Sequence, residues 1–183
     1  MKGSVIRFDS DKLIVPESPI IPVIPGDGVG QEIWDASRLV IDSAVRTVYS
    51  DQRHIFWLPL LAGATALETT GHWLPDDTIE HIRTHLVALK GPLATPVGGG
   101  IRSLNVQLRK CFDLYACVRP IKWYEGVPSP VKRPENVDMV IFRENTEDTY
   151  CGIEWNVDDP INKRVVSFFT EELGVTDIRF PNS

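Results

Sequence analysis

The chain has 183 residues, which is enough for one domain or for part of a larger one. Hydrophobic residues make up 43% of it and charged residues 24%, as in ordinary soluble globular proteins. The net charge of −6 argues against nonspecific nucleic-acid binding, and no apolar run approaches the length of a membrane span. Cys111, Cys117 and Cys151 form no CxxC pair, and without a signal peptide they predict a reducing cytoplasmic location.

Strands and helices alternate along the first half of the chain. Apolar runs at Ile20–Ile24, His54–Leu58 and Leu86–Leu89 predict buried strands. Helical periodicity predicts a helix over about Gln31–Tyr49. The segment Pro75–Asp77 predicts the start of another helix, which runs through His85 and has acidic residues in its first turn. This alternation predicts an α/β layer arrangement.

The segment Pro25–Gly30 (PGDGVG) joins the first of these strands to the first helix. A glycine pair after a strand suggests a dinucleotide-binding fingerprint, but the full G-x-G-x-x-G pattern is missing. We therefore interpret the segment as a tight strand-to-helix turn.

The stretch Lys90–Arg119 contains the densest group of candidate binding residues. Gly98, Gly99 and Gly100 permit a tight turn that leaves room for a ligand. Ser103 follows at a position where a helix would start, and helix N-termini attract anions.

Three further polar residues extend this pattern. If the segment after Ser103 is helical, Asn105 and Arg109 lie four residues apart and share one face. Arg119 ends an apolar run, Leu114–Val118, that predicts a buried strand. A hydroxyl, an amide and guanidinium groups in one cleft would suit a small ligand with several carboxylates. The alternative is a glycine-rich turn followed by solvated arginines.

The second half of the chain begins with a proline-rich loop over Trp123–Pro134. Val137–Phe142 predicts a strand that ends at Arg143. Further predicted elements are a strand at Gly152–Trp155, an amphipathic helix at Lys163–Leu173 and a strand at Thr176–Phe180.

Two groups of residues raise the possibility of a metal site. Glu144, Glu147 and Asp148 lack regular ligand spacing, which favours a turn and a solvated face. His81 and His85 are four apart on a predicted helix, a spacing found in metal pairs. Without a further Glu or His partner nearby, a polar helix face is the favoured interpretation.

Several long motifs resemble those of the bacterial NADP-dependent isocitrate dehydrogenases, a group of β-decarboxylating dehydrogenases. They are PIIPVIPGDGVG (Pro19–Gly30), WLP (Trp73–Pro75), Lys90–Arg119, Val127–Trp155 and IRFP (Ile178–Pro181). The resemblance covers nearly the whole chain, but the family's subunits are more than twice as long. It therefore predicts an N-terminal portion of such an enzyme.

The resemblance implies a partial isocitrate/isopropylmalate dehydrogenase-like α/β fold, which is not a Rossmann fold. Residues 1–114 would form an incomplete large domain, 115–147 the start of a small domain, and 148–183 a clasp-like dimerisation segment. The family's catalytic lysine, metal-binding aspartates and adenosine-phosphate loop would lie beyond this chain, so no metal ligand is expected within it. A homodimer, or a partner chain supplying the C-terminal half, is the expected assembly.

The resemblance also assigns the substrate site. The residues that match the family's isocitrate-binding residues are Ser103, Asn105, Arg109, Arg119 and Arg143. In the family, NADP takes a hydride from the hydroxyl carbon, and Mg²⁺ or Mn²⁺ stabilises the enolate left by loss of CO2. A tyrosine that matches Tyr150 then helps to protonate it.

Three positions concern regulation and the cofactor. Ser103 matches the family's regulatory phosphorylation site, where a phosphate would repel the substrate. Ala94 stands where the family has a threonine that touches the nicotinamide end of the cofactor, and Thr95 lies beside it.

The predicted function is oxidative decarboxylation of isocitrate to 2-oxoglutarate. The alternative is a non-catalytic truncated paralogue that dimerises, or that binds a full-length subunit or its regulatory kinase.

Overall fold

The computed structural model describes residues 3–94, 103–147 and 151–179. The chain divides into two compact units, Met1–Asn145 and Thr146–Ser183. The first unit combines helices with three small sheets, which confirms the predicted α/β class.

Strands and helices are numbered separately, each in chain order. The strands are β1 (Arg7–Asp9), β2 (Lys12–Ile14), β3 (Ile20–Ile24), β4 (Phe56–Pro59), β5 (Leu89–Lys90), β6 (Ala116–Lys122) and β7 (Asp138–Glu144). The helices are α1 (Gly30–Tyr49), α2 (Ala64–Thr70), α3 (Asp76–His85), α4 (Leu104–Cys111) and α5 (Pro160–Ser167), with a 3₁₀ turn at Pro134–Asn136 and a π-helical turn at Phe168–Glu172. Among the helices that the structure describes, none has both the length and the apolar composition needed to cross a bilayer.

A parallel three-stranded sheet with the order β4-β3-β5 forms the centre of the first unit. Its middle strand β3 pairs Ile21 with Trp57 of β4 and Val23 with Leu89 of β5. Val23 and Ile24 are fully buried, as expected for an apolar run in a parallel sheet that is covered on both faces.

The strongest periodic signals in the sequence are confirmed. The predicted strand at Ile20–Ile24 has the same bounds in the structure. The helix predicted at about Gln31–Tyr49 is α1, and the helix predicted to start at Pro75–Asp77 and run through His85 is α3. α1 lies against β4, where the Trp34 and Trp57 rings meet edge to face with centroids 4.9 Å apart.

The structure differs from the sequence predictions at one predicted strand and at one short helix. The predicted strand at Leu86–Leu89 is wrong in its first part, because Leu86 ends α3 with φ at 65° and cannot be extended. In this segment, the residues that pair with β3 are Leu89 and the following Lys90. The short helix α2 was not predicted, since its seven residues carry too little periodicity.

Helix α4 packs its apolar side into the core of the first unit. Leu104 and Leu108 are buried one turn apart, which turns Asn105 and Arg109 towards the half-exposed face. The other buried members of this core cluster are Ile24, Leu60, Ala62 and Leu93. The core therefore fixes the orientation of the helix that carries the candidate polar residues.

Strands β6 and β7 form a two-stranded antiparallel ribbon. β6 is longer than the predicted strand Leu114–Val118 and is shifted towards Lys122, while β7 extends the predicted strand Val137–Phe142 to Glu144. Much of the ribbon is exposed, including Phe142, whose relative exposure is 72%.

The second unit contains α5 and the π-helical turn that continues it. Asp159 caps α5 by accepting a hydrogen bond from the Ile161 amide at 2.9 Å. The strand predicted at Gly152–Trp155 is wrong, because residues 152–155 do not have strand conformation. The strand predicted at Thr176–Phe180 is also wrong over its described residues, 176–179, while Phe180 lies outside them.

Candidate functional site

The candidate site starts at the N-terminus of α4. Ser103 is the N-cap residue, as the sequence predicts, but its hydroxyl makes no capping hydrogen bond. Asn105 and Arg109 follow on one face of the helix, half-buried, and neither side chain hydrogen-bonds another described residue. The Asn105 amide and the Arg109 guanidinium therefore project from one helix face, and the Ser103 hydroxyl lies at the start of the same helix. Within the described chain, the hydrogen-bonding capacity of all three side chains is unused.

A second cation, Lys90, lies close enough to Arg109 for the two charges to interact. Burial lowers the pKa of the Lys90 ammonium, and the nearby Arg109 guanidinium lowers it further. Lys90 Nζ donates to the Gly91 carbonyl oxygen at 2.7 Å. In the part of the chain that the structure describes, no carboxylate forms an ion pair with either side chain.

Two cations held together without a carboxylate repel each other, and an anion between them would relieve that repulsion. The sequence pattern does not mark Lys90 as a site residue. Its position at the carboxyl end of a parallel strand, where α/β proteins place ligands, is the signal that could have identified it.

The Asp27 carboxylate fixes the segment that leads to the site. Its Oδ1 accepts from the Ala64 amide and its Oδ2 from the Ala94 amide, both at 2.8 Å. The Asp27 amide also donates to the Pro92 carbonyl oxygen at 2.7 Å. The Pro25–Gly30 turn is thus a strand-to-helix turn whose acidic residue binds the backbone of two other segments.

Glycines are required where these segments meet. A Cβ on Gly91 would overlap the Pro25 carbonyl oxygen, and a Cβ on Gly26 would overlap that of Pro92. Gly26 also has φ at +98°, which a side chain would strain. The close approach of these two backbones therefore depends on the absence of side chains.

The ribbon β6–β7 carries the other two predicted arginines. Its register places Cys117 opposite Arg143, and residues opposite each other in an antiparallel pair point to the same face. Arg119, two residues along from Cys117, shares that face. Arg119 is exposed, and its Nε donates to the Cys117 Sγ at 3.2 Å.

Several predictions fall partly or wholly outside the described residues. Tyr150 and Thr95 lie outside them, so their predicted roles stay predictions. Ala94 is described and is exposed, and its amide is already bonded to Asp27.

Within the described residues, no cluster of three or more His, Cys, Asp or Glu side chains could hold a metal ion. Glu144 ends β7, and Asp148 lies outside the described chain. His81 lies beside Asp77 at 3.6 Å on the polar face, as predicted. His85 differs from the prediction, because it is buried with its Nδ1 2.7 Å from the His81 carbonyl oxygen.

Comparison with known proteins gives one consistent family. A family model for isocitrate/isopropylmalate dehydrogenase matches residues 20–179. The NADP isocitrate dehydrogenase of Staphylococcus epidermidis is 54% identical over 183 residues, which cover 100% of this chain and 43% of that protein. That of Streptococcus salivarius is 56% identical over 178 residues, which cover 97% of this chain and 46% of the relative.

Solved structures agree with the sequence comparison. Isocitrate dehydrogenase from Methylococcus capsulatus has a TM-score of 0.64 and 35% identity, covering 85% of this chain and 47% of that one. The TT0538 protein from Thermus thermophilus has a TM-score of 0.61 and 38% identity, covering 81% of this chain and 31% of that one.

The chain spans less than half the length of these relatives and matches their N-terminal part. The matched segment includes β3, α4 and both strands of the ribbon, which together carry the candidate substrate-binding residues described above. The chain therefore belongs to the isocitrate/isopropylmalate dehydrogenase family.

Proposed function

We propose that this chain is the substrate-binding N-terminal portion of an NADP-dependent isocitrate dehydrogenase, which converts isocitrate to 2-oxoglutarate by oxidative decarboxylation. Family membership and the names of the relatives support this proposal. The single observation that carries it is the half-buried face of α4, where the side chains of Asn105 and Arg109 make no hydrogen bond with another described residue.

The chemistry of this group suits isocitrate, which carries three carboxylates and one hydroxyl. Arg109 would bind a carboxylate through paired, charge-assisted hydrogen bonds. Ser103 and Asn105 would bind further polar groups of the same ligand. The related isopropylmalate enzymes must accommodate an aliphatic group, which this polar pair would accept poorly.

The ribbon would supply the remaining carboxylate contacts through Arg119 and Arg143, which share one of its faces. Tyr150 would act as the proton donor to the decarboxylated intermediate, as the family resemblance implies. A phosphate on Ser103 would place negative charge next to the substrate carboxylates and repel them.

The described residues fit the substrate better than the other components of the reaction. Ala94 lacks a side-chain hydroxyl, and its amide is already used by Asp27, so it offers NADP only its methyl and carbonyl groups. Within the described residues no cluster fits Mg²⁺ or Mn²⁺. Cytoplasmic location and a homodimer remain parts of the proposal that rest on the family resemblance.

The proposal is tested by isothermal titration of the chain with isocitrate, with and without Mg²⁺. Arg109→Gln should weaken isocitrate binding by roughly 30-fold or more, because a buried charge pair of this kind is worth about 2–5 kcal/mol. Arg133→Gln is the matched control, since Arg133 is exposed in the loop before β7. Equal isocitrate affinity for the two variants would contradict the proposed site.

Exposed apolar side chains favour a second function, binding of another polypeptide without catalysis. The sequence predicts an apolar face on α1, yet Ile33, Leu39, Val40 and Val48 are exposed. Apolar residues at such spacing normally pack against a neighbouring element. A partner chain supplying the C-terminal half, or a full-length subunit of the same family, would cover them.

This second function predicts complex formation without isocitrate. The chain would be mixed with a separately expressed C-terminal half of a relative, and the mass of the product measured by sedimentation equilibrium. Leu39→Asp should abolish the complex, whereas Glu32→Asp on the same helix should preserve it. A chain that stays monomeric with every such partner would exclude this function.

A further inference from the structure

Asn145 is a buried polar residue that the sequence analysis did not single out. It follows β7 directly, and its relative exposure is only 3%. Asparagine is seldom so deeply buried unless its amide makes specific hydrogen bonds. The depth of its burial therefore indicates a specific role for this side chain.

The Asn145 amide joins three parts of the first unit. Its Nδ2 donates to the Leu114 carbonyl oxygen at 3.2 Å. The Leu114 amide in turn donates to the Arg109 carbonyl oxygen at 2.8 Å, and β6 begins two residues after Leu114. A short chain of hydrogen bonds thus connects the end of α4, the start of β6 and the end of β7.

These three elements carry three arginines of the proposed substrate site. Arg109 is on α4, Arg119 is on β6, and Arg143 is on β7 only two residues before Asn145. No single element holds all three guanidiniums, so their spacing depends on what fixes the elements to one another. The Asn145 side chain is a hydrogen-bonding group that reaches across this junction.

The other end of the amide shows that packing alone does not explain the residue. Asn145 Oδ1 is buried and has no hydrogen-bond partner among the residues that the structure describes. A buried acceptor without a partner is costly, so an amide is a poor choice for filling space. An apolar side chain of similar size would fill the same space but would lack the directional N–H donor of Asn145.

We propose that Asn145 is a positioning residue, which holds the arginine-bearing elements α4, β6 and β7 at the spacing that isocitrate requires. The identity of the ligand rests on the proposed function, whereas the role of Asn145 in fixing α4, β6 and β7 relative to one another does not depend on the ligand. Buried hydrogen bonds are shielded from water and directional, so they fix relative geometry better than apolar contacts do.

The test compares the 183-residue chain with its Asn145→Ala and Asn145→Asp variants. Asn145→Asp keeps the shape but replaces the donor by an acceptor that faces the Leu114 carbonyl. Asn136→Ala is the matched control, because Asn136 lies in the 3₁₀ turn, where none of the residues is buried. Each protein is titrated with isocitrate, and residual dipolar couplings of backbone amides report the orientation of α4 relative to the ribbon.

Both Asn145 variants should weaken isocitrate binding roughly tenfold and rotate α4 relative to the ribbon by about 10° or more, whereas the control changes neither. A purely stabilising role would lower the unfolding midpoint and leave the orientation and isocitrate affinity unchanged, which would overturn the proposal. Weaker binding with an unchanged orientation would also overturn it, since Asn145 would then contact the ligand directly.

Two further readouts separate this proposal from the proposed function. If the wild-type chain does not bind isocitrate, the proposed function fails, and the dipolar couplings alone decide the role of Asn145. If the variants do not fold, the wild-type chain is tested for a scalar coupling across the hydrogen bond from Asn145 Nδ2 to the Leu114 carbonyl carbon. A detectable coupling supports the junction, and a rapidly exchanging side-chain amide without one contradicts it.

Discussion

Replacing Asp27 by alanine should destabilise the first unit more than an ordinary surface substitution would. The carboxylate accepts hydrogen bonds from the amides of Ala64 and Ala94, each at 2.8 Å. These two residues lie 37 and 67 positions away in sequence. The alanine side chain would leave both amides without their acceptor and would release two distant segments from the Pro25–Gly30 turn.

The size of the effect follows from the surroundings of each amide. A hydrogen bond to a charged group contributes about 1.5–3 kcal/mol. The Ala64 amide is part-buried at the start of α2, so we assign it about 1.5–3 kcal/mol. The Ala94 amide is exposed and water would replace the carboxylate, so we assign it about 0.5–1 kcal/mol. The free energy of unfolding should therefore fall by about 2–4 kcal/mol.

The measurement is urea-induced unfolding followed by far-UV circular dichroism. Asp35→Ala is the matched control, because Asp35 is exposed on α1 and accepts a hydrogen bond from Gln31 on the same helix, at 2.9 Å. Its effect should stay within about 0.5 kcal/mol. Asp27→Asn, which retains one acceptor oxygen, should fall between the two. An unfolding midpoint for Asp27→Ala equal to that of Asp35→Ala would refute the reasoning.

Three further predictions concern neighbouring residues. Gly63→Ala should lower the unfolding midpoint more than Gly71→Ala, because both glycines have φ at +78° but only at Gly63 would a Cβ meet the Asp27 carboxylate. Lys90→Met should stabilise the chain at neutral pH. The folded-state pKa of Lys90 lies below its unfolded value of 10.5. The wild type should therefore gain stability relative to Lys90→Met as pH rises from that lowered pKa through 10.5. A difference in urea midpoints that stays constant over this pH range would contradict the prediction. Ser103→Asp should abolish isocitrate binding in a calorimetric titration while Ser103→Ala weakens it roughly tenfold or less.

The elements that could be predicted from the sequence are those with strong local patterns. The apolar run at Ile20–Ile24 is long enough to be buried on both faces, and α1 has 20 residues of regular period. Spacing alone predicts that Asn105 and Arg109 share one helix face, and the burial of Leu104 and Leu108 agrees with that orientation. Local spacing therefore predicted the part of the candidate site that lies on α4.

The parts that could not be predicted depend on contacts between distant residues. Lys90 precedes Arg109 by 19 residues, and nothing in the sequence between them shows that their charges interact. The Asn145 side chain reaches Leu114 across 31 residues. The predicted strand at Gly152–Trp155 and the described part of the one at Thr176–Phe180 have suitable composition, but composition does not determine which segments pair in a sheet.

The central claim is that isocitrate binds between α4 and the β6–β7 ribbon. It is tested most directly by recording amide and arginine Nε–H nuclear magnetic resonance signals of the ¹⁵N-labelled chain during addition of isocitrate. We predict that signals of Asn105, Arg109, Arg119 and Arg143 move together and saturate, while those of α1 stay in place. Saturable shifts confined to other elements, or no shifts at millimolar isocitrate, would contradict it.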